Sequence, residues 1–472
     1  MKKPAKYFLI ALPVLAVLFL IALEVLSRGA AEIFNRAMQE QQMLKGTITA
    51  EKISANIWGE VSFKNLLWKD ERGGTILEIP EGGFSVRLYD VITKNFSSTT
   101  VQELHLRGAS VSINLDENMS VDFIRQSPDF KKVSDEMKTN SEDWEEKVSH
   151  VNKTEDELKE IGEHRRRLQR SKIETGWKNF NLEGRKIKAS LALENCSFEV
   201  FYRERHYLLR GVNFSASVDT GDAMMLEVHT GGFGGTMIGR GMDIRGKIDF
   251  KPEPVPECDL QIVLREVEPS SLGFGLNIND EMTLRTHFTG AVTHPLGRGI
   301  VKLNELHIPG LNFKNVSGKI RYEDATLNFV DVTADVYDGS LTAYGDYNID
   351  TRYYNIYGHG RNLKAYTALP KSHLHCNVDL ELAINSKGSP KETTTSGSFV
   401  SGKGRYSVLF FDKLSGRFKN EYQNLSFYDV EIDMGGYKIS TDALSIVDKK
   451  LTLAPIKITN AKGELVRTYI KN

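Results

Sequence analysis

The sequence predicts a mainly β protein: an elongated, twisted antiparallel β-sheet forming an open groove, with an N-terminal transmembrane helix and a helical, coiled-coil-like insertion. Three observations lead to this prediction. A segment of the C-terminal half is repeated, apolar and polar residues alternate through most of the chain, and two stretches break that alternation. The 472 residues include 39 glycines but only 13 prolines, which suits many strands joined by tight turns.

The repeat joins residues 317–335 to residues 415–433, which lie 98 positions later. Each copy alternates apolar and polar residues, as a strand with one buried face does. The spacing is typical of a structural repeat rather than a catalytic motif. The positions shared by the two copies are Ser317/Ser415, Gly318/Gly416, Glu323/Glu421, Leu327/Leu425, Phe329/Phe427, Asp331/Asp429, Val332/Val430 and Asp335/Asp433.

Both copies change the parity of their apolar residues at the same place. In the first copy Leu327 and Phe329 share one parity, whereas Val330, Val332 and Val336 have the other. Such a change requires either one extra residue in the strand, which makes a β-bulge, or a break between two strands, and the sequence is compatible with both. Period alone leaves open which of the two parities carries the apolar stripe of the sheet.

The composition argues against several classes of function. A formal net charge of −1 provides no basic field for phosphate, so nucleic acid is not expected as a partner. The three cysteines lie far apart and form no disulfide framework. On a strand His373 and His375 would point the same way and Cys376 the other way, so these three residues do not converge on a metal. Nucleophile, zinc-protease and Walker motifs are missing, so we expect no catalytic residue, no metal and no cofactor.

The N-terminus reads as a membrane anchor over residues 1–28. Lysines precede an apolar run at positions 7–26, and twenty helical residues rise about 30 Å, enough to cross a bilayer core. The lysines favour a cytoplasmic start. A cleaved signal peptide is the alternative, because small residues follow at positions 29–31. The side chains expected to face lipid are Phe8, Leu12, Leu15, Leu18, Phe19 and Leu23.

Residues 29–45 continue as a predicted helical stalk, and residues 46–128 then read as a meander of short strands. From 129 to 175 the alternation gives way to dense charge with a seven-residue apolar spacing, which predicts a helical insertion. Thr154 and Glu157 have the spacing of a capping box that starts a helix. The segment could form one long helix or a helical hairpin. It could either pack along the sheet or serve as an arm that binds a partner or a second copy of the chain.

Strands are predicted to resume near Lys188, in a middle β region over residues 176–256. The glycines of residues 231–246 lack the helix and Lys-Ser/Thr pair of a phosphate loop, so we expect turns and bulges. The proline-rich residues 251–256 are the best boundary before a C-terminal β-repeat region, 257–472. Within that region residues 387–397 are expected to form a flexible polar connection.

Residues 62–70 and 101–113, together with the two repeat copies, resemble AsmA-like and TamB-like envelope proteins. The resemblance covers most of the chain outside the helical insertion. It implies a β-groove along which phospholipid moves between envelope membranes without ATP hydrolysis by the chain. It also implies a single-pass protein of the inner membrane of a diderm bacterium, with its bulk in the periplasm and an outer-membrane protein as a further candidate partner.

An apolar sheet face without a covering layer would suit acyl chains, since each buried CH₂ contributes about 0.8 kcal/mol. The alternative is a non-enzymatic scaffold or assembly factor of the envelope that acts through its sheet and helical arm. The two differ in whether the apolar residues face an open groove or a packed core. The residues expected to line the groove are Val212, Phe214, Val218, Phe329, Val330, Val332, Val336, Phe427, Val430 and Ile432.

Overall fold

The computed structural model of the chain describes most residues from Lys45 onward. The described residues are 45–56, 58–87, 89, 93, 101–115, 154–182, 188–202, 205–272, 278–308, 311–368, 370, 373–388, 390–422, 424–447 and 450–470. They contain 28 strands and two α-helices, which confirms the mainly β prediction. No helix among them is long and apolar enough to span a bilayer, and the predicted anchor, the predicted stalk up to residue 44, and residues 129–153 lie outside them.

The chain divides into two compact units, Met1–Gly297 and Arg298–Asn472. The division does not fall at the proline-rich segment, because residues 251–256 connect two adjacent strands and Asp249 pairs with Glu257 across that connection. Val255 and Pro256 are buried within it. The prolines therefore shape a hairpin connection inside unit 1.

Unit 1 carries twelve strands and one long helix among its described residues. The elements are β1 (Thr47–Ala55), β2 (Glu60–Lys69), β3 (Thr75–Val86), β4 (Val101–Arg107), β5 (Ser110–Leu115), α1 (Glu155–Leu182), β6 (Lys188–Tyr202), β7 (Arg205–Asp219), β8 (Ala223–His229), β9 (Gly232–Gly235), β10 (Met242–Asp249), β11 (Glu257–Val267), a 3-10 helix (Pro269–Leu272) and β12 (Met282–Ala291).

Most neighbouring strands of unit 1 are antiparallel, but β6 lies parallel to both β4 and β5. Parallel neighbours need a crossover of a dozen or more residues. The stretch between Leu115 and Lys188, which contains α1, provides it. The purely antiparallel prediction is therefore corrected at this position.

Helix α1 begins with the predicted capping box. The Thr154 backbone N–H donates to Glu157 Oε2 over 2.7 Å, and the Glu157 N–H donates to Thr154 Oγ1 over 3.3 Å. The helix continues to Leu182, beyond the predicted end at residue 175 and through Gly176. Trp177 stacks on Phe250 with the ring centroids 5.2 Å apart, and this packing offsets the cost of a helical glycine, about 1 kcal/mol.

One buried apolar cluster extends from β2 to β11 and forms the core of unit 1. Val212 and Val218 belong to it and are 2% and 4% exposed, and Phe214 packs against it. The cross-strand partners of these three are Cys196, Ala189 and Leu193, on the same face of the sheet. This part of the sheet face is therefore covered.

Unit 2 is built from antiparallel strands, the first of which begins two residues before the boundary between the units. Its elements are β13 (Leu296–Ile308), β14 (Leu311–Glu323), β15 (Thr326–Val336), β16 (Gly339–Asn348), β17 (Tyr354–Lys364), α2 (Ala365–Ala368), β18 (Leu374–His375), β19 (Asn377–Ser386), a 3-10 turn (Pro390–Glu392), β20 (Thr393–Ser401), β21 (Gly404–Tyr406), β22 (Leu409–Phe411), β23 (Lys413–Glu421), β24 (Asn424–Met434), β25 (Tyr437–Val447), β26 (Lys450–Leu453), β27 (Ile456–Thr459) and β28 (Leu465–Tyr469).

The pairing order of the main sheet in unit 2 is β14, β15, β16, β17, β19, β20, β23, β24 and β25. Strands β18, β21 and β22 form a separate small sheet. The expected flexible connection at residues 387–397 is wrong beyond Glu392, because Thr393 starts β20. This polar strand is held by continuous pairing with β19 on one side and β23 on the other.

Candidate functional site

Each repeat copy contains a β-bulge, centred on an aspartate. Asp331 and Asp429 have positive φ angles of 52° and 48°. Along β15, Phe329 pairs with Gly345 and Val332 pairs with Ala343, so three residues on β15 match two on β16. The second copy has its register shift between Ser415 and Arg417, opposite the same bulge in β24. Of the two alternatives that the sequence allowed, the extra residue within a continuous strand is the one observed in both copies.

The bulge returns the apolar residues to one face. Phe329 and Val332 face the same way because their partners Gly345 and Ala343 are two residues apart. Val330 pairs with Lys319 and faces the opposite way. The parity question that the sequence left open is thereby answered: Phe329, Val332 and Val336 belong to one face, and Val330 belongs to the other.

The second copy repeats this arrangement. Phe427 pairs with Phe418 and Ile432 pairs with Leu414, four residues away on β23, so Phe427, Val430 and Ile432 share a face. Tyr428, which occupies the position of Val330, pairs with Arg417 on the other face. The sheet of unit 2 thus has an apolar face and a polar face.

The polar face carries a cross-strand ion pair at each bulge. Lys319 Nζ lies 2.9 Å from Asp331 Oδ2, and Arg417 pairs with Asp429 at the equivalent position. A hydrogen bond from Lys319 lowers the pKa of the Asp331 carboxyl below its usual value. These carboxylates are exposed and paired with cations, and they do not converge on a shared reacting group.

On the apolar face, side chains from seven consecutive strands form two rows that run perpendicular to the strands. We call them row A and row B. Both rows are free of polar side chains. Most of their members were not among the residues predicted to line the groove. Row A contains Val332, Ala343, Gly358, Leu382, Gly397, Phe418 and Phe427; row B contains Ala334, Leu341, Gly360, Leu380, Phe399, Gly416 and Val430.

Glycines in these rows lie beneath large neighbours. A Cβ added to Gly416 would stand 2.8 Å from Phe399 Cζ, and one added to Gly397 would stand 2.8 Å from Phe418 Cε1. The same holds for Gly318, where the added Cβ would be 2.7 Å from Val332 Cγ2. The rings therefore lie across the backbone of the adjacent strand and fill the space above its glycines. The apolar face is smooth at these positions.

Most of the row side chains are half-buried rather than buried. Neighbouring strands account for nearly all extensive packing in the described part of unit 2, and no second layer packs extensively over rows A and B there. The small sheet covers only one end: Phe411 forms a buried cluster with Ala365 and Cys376, against which Ile432 packs. Of the predicted residues, Ile432 is thus partly covered, and Val336, at 4% exposure, is buried.

The remaining predicted residues lie elsewhere. Val212, Phe214 and Val218 are in the covered core of unit 1, and Val330 is on the polar face of unit 2. The predicted anchor residues, Phe8, Leu12, Leu15, Leu18, Phe19 and Leu23, lie outside the described residues. Leu382, Phe399 and Phe418 were missed, although the alternation of Val378, Leu380, Leu382 and Ile384 in the sequence was a usable signal.

The described residues hold no cluster of three or more histidine, cysteine or acidic side chains placed to bind a metal. Cys196, Cys258 and Cys376 are buried thiols, and burial raises the pKa of each. His375 is exposed and stacks on Tyr366 with the ring centroids 5.5 Å apart, whereas Cys376 is buried. Comparisons with protein-family models, curated proteins and solved structures gave no match.

Proposed function

We propose that this chain is a membrane-anchored, non-enzymatic envelope protein that binds the acyl chains of phospholipids along rows A and B and supports their movement between the inner and outer membranes. The periplasmic location and the resemblance to AsmA-like and TamB-like proteins are parts of this proposal. The observation that supports it is the pair of continuous, half-exposed apolar rows in unit 2.

The dimensions of the rows suit an acyl chain. Seven strands at a spacing of about 4.8 Å give a row about 29 Å long. One acyl chain spans half of a bilayer core of about 30 Å, or about 15 Å. A row therefore exceeds the length of one chain, and side chains that lack polar atoms make no demand on the ligand for hydrogen bonds.

The smoothness of the face favours movement over fixed binding. Phe399 and Phe418 fill the space above Gly416 and Gly397, so neither row has a deep pocket at these positions. Adjacent positions along a row then offer similar contacts to a chain of CH₂ groups. Similar binding free energies at successive positions leave low barriers between them, which permits sliding without an energy-consuming step.

The test is photo-crosslinking of the full chain in membranes, with benzoylphenylalanine placed at Phe427 or at Tyr428. These neighbours lie on opposite faces of β24. We expect crosslinks to phospholipid from position 427 and few from position 428. Equal crosslinking at both positions, or none at position 427, would contradict the proposal.

A second pair of variants tests the surface chemistry. Val332→Asp places a charge in row A, whereas Val330→Asp places the same charge two positions away on the polar face of the same strand. We expect the first variant to lower the number of phospholipids that co-purify per chain in native mass spectrometry, and the second to leave it unchanged. A lipid-free protein in all forms would favour the scaffold function instead.

A further inference from the structure

The small sheet of unit 2 ends in an apolar tip. Strands β21 and β22 are joined by Ser407 and Val408, and Tyr406 pairs with Leu409 at the turn. The exposed fractions are 55% for Tyr406, 80% for Val408, 55% for Leu409 and 73% for Phe410. These four residues, which we call the hairpin tip, are far more exposed than apolar side chains of a folded domain usually are.

The base of the same hairpin is firmly packed. Phe411 is 6% exposed and contacts the cluster of Ala365 and Cys376, and it lies over Gly404, where an added Cβ would be 2.5 Å from its Cζ. The Ser407 N–H donates to the His373 carbonyl over 3.0 Å, which ties the turn to the chain next to β18. The exposed tip is therefore held on a rigid base.

The tip is apolar on both of its faces. Tyr406 and Leu409 face one side of the small sheet, whereas Phe410, which pairs with Arg405, faces the other. Val408 stands at the end. A flat protein surface could cover one of these sides at a time, but immersion in an apolar medium covers all of them.

Positive charge surrounds the base of the tip. Lys403, Arg405 and Lys413 are exposed, and no ion pair joins them to a carboxylate within the described part of the chain. The nearby Asp412 accepts a hydrogen bond from the Gly435 N–H over 3.4 Å. Apolar and aromatic side chains flanked by lysine and arginine match the layers of an anionic bilayer surface, with acyl chains below and phosphates above.

We infer that the hairpin tip inserts into the interface of an anionic phospholipid bilayer, with Lys403, Arg405 and Lys413 at the level of the headgroups. This contact is separate from the acyl-chain binding proposed for rows A and B. It would hold unit 2 at a membrane surface by a point other than the predicted N-terminal anchor.

The test uses the full chain in proteoliposomes, with an environment-sensitive fluorophore on Val408→Cys. The native cysteines are buried, so the label goes to the introduced thiol. Brominated phosphatidylglycerol vesicles quench only a label that enters their acyl region. Because the anchor itself holds the protein in a bilayer, the brominated lipid is placed in turn in the proteoliposomes and in added protein-free vesicles.

We expect an increase of fluorescence that is quenched by brominated lipid in one of the two membranes and weakened by high salt. Tyr422→Cys is the matched control, since Tyr422 is 51% exposed at the turn that precedes β24, whereas Asp412 contacts the other end of that strand. If brominated lipid quenches the label neither in the proteoliposomes nor in the added vesicles, the inference is overturned. A change that depends on protein concentration and not on lipid also overturns it, in favour of contact between copies of the chain.

Substitution gives the second readout. Val408→Asp with Phe410→Asp in the full chain should lower the association of unit 2 with whichever of the two membranes quenched the label about tenfold or more, since buried charges oppose insertion. Both side chains are exposed, so the fold is retained, as circular dichroism would verify. Native mass spectrometry of this variant should still find bound phospholipid, which separates failure of this contact from failure of the proposed acyl-chain site.

Discussion

Lys319 and Asp331 form an ion pair across a β-bulge, and Arg417 and Asp429 form the same pair 98 residues later. In both copies the aspartate has a left-handed backbone, and in both a valine on the following position returns to the apolar face. Both copies of the repeat therefore contain the same bulge. It places the aspartate on the polar face and keeps rows A and B continuous on the apolar face.

The backbone of the bulge should matter more than its ion pair. Asp429→Val should lower the free energy of unfolding by about 1–2 kcal/mol, because a β-branched residue is strained at φ 48°. Asp429→Gly should change it by less than about 0.5 kcal/mol, because glycine adopts this conformation freely and exposed ion pairs contribute little. Urea unfolding of the detergent-solubilised chain measures both. If the two variants were equally destabilised, the ion pair rather than the backbone would be decisive.

The covered glycines of the apolar face should resist even a methyl group. Gly416→Ala would bring its Cβ to 2.8 Å from Phe399 Cζ, and we expect this overpacking to cost about 1–3 kcal/mol in thermal unfolding. Gly402→Ala is the control, because an added Cβ there meets nothing within 4 Å. Combining Gly416→Ala with Phe399→Leu should recover part of the loss. A Gly416→Ala variant as stable as the control would show that Phe399 moves aside freely.

Tyr347 should make unit 2 sensitive to alkali. It lies on the apolar face between Leu327 and Tyr354 and is 4% exposed, and burial raises its pKa to about 12. The unfolded chain loses this proton near pH 10, so stability is complete below pH 10 and falls as the pH rises from 10 to 12. The loss is on the order of 2–3 kcal/mol.

Tyr347→Phe removes the ionisable hydroxyl and should flatten the stability profile between pH 10 and 12. The measurement is the urea midpoint at several pH values in this range. Tyr344→Phe, at a position 61% exposed on the polar face, is the control and should keep the slope of the unchanged protein. Equal slopes in all three proteins would contradict a buried hydroxyl at Tyr347.

The capping box should set the local stability of α1. Thr154→Ala removes the acceptor for the Glu157 N–H, which should cost about 1 kcal/mol. Amide hydrogen exchange in the first turn should then be about fivefold faster, whereas Thr154→Ser should exchange like the original protein. The turn that contains Trp177 serves as an internal reference, because Trp177 packs against Phe250.

The sequence was informative where local pattern alone determines structure. The parity change after Phe329 and again after Phe427 indicated a bulge or a strand break at these positions, and Thr154 with Glu157 predicted where α1 begins. The face of the sheet on which Val330 lies was not predictable. A period of two relates residues to one face only within a regular strand, and the bulge interrupts that period. The partners Gly345 and Ala343 on the next strand were needed to place Val332 beside Phe329.

Other features depended on contacts distant in sequence. The predicted helical insertion ends at residue 175, but Trp177 stacks on Phe250, which directly follows β10, and the helix continues to Leu182. Residues 393–397 read as a linker because they contain no apolar side chain, yet they pair with β19 on one side and β23 on the other. Leu409 and Phe410 read as part of a strand and gave no sign of exposure, because an apolar run of this kind is usual in a core.

The two copies of the bulge are separated by an even number of strands. From β14 to β23 the main sheet advances by six strands, so the two strands run in the same direction and present the same face. Removing the 98 residues from Ser317 to Leu414 would join β14 to β23 without inverting either, and the sheet would shorten by about 29 Å. The six main-sheet strands from β14 to β20 are thus a repeating segment of the sheet. A sheet of this kind can gain or lose such a segment without any change in the strands at its two ends.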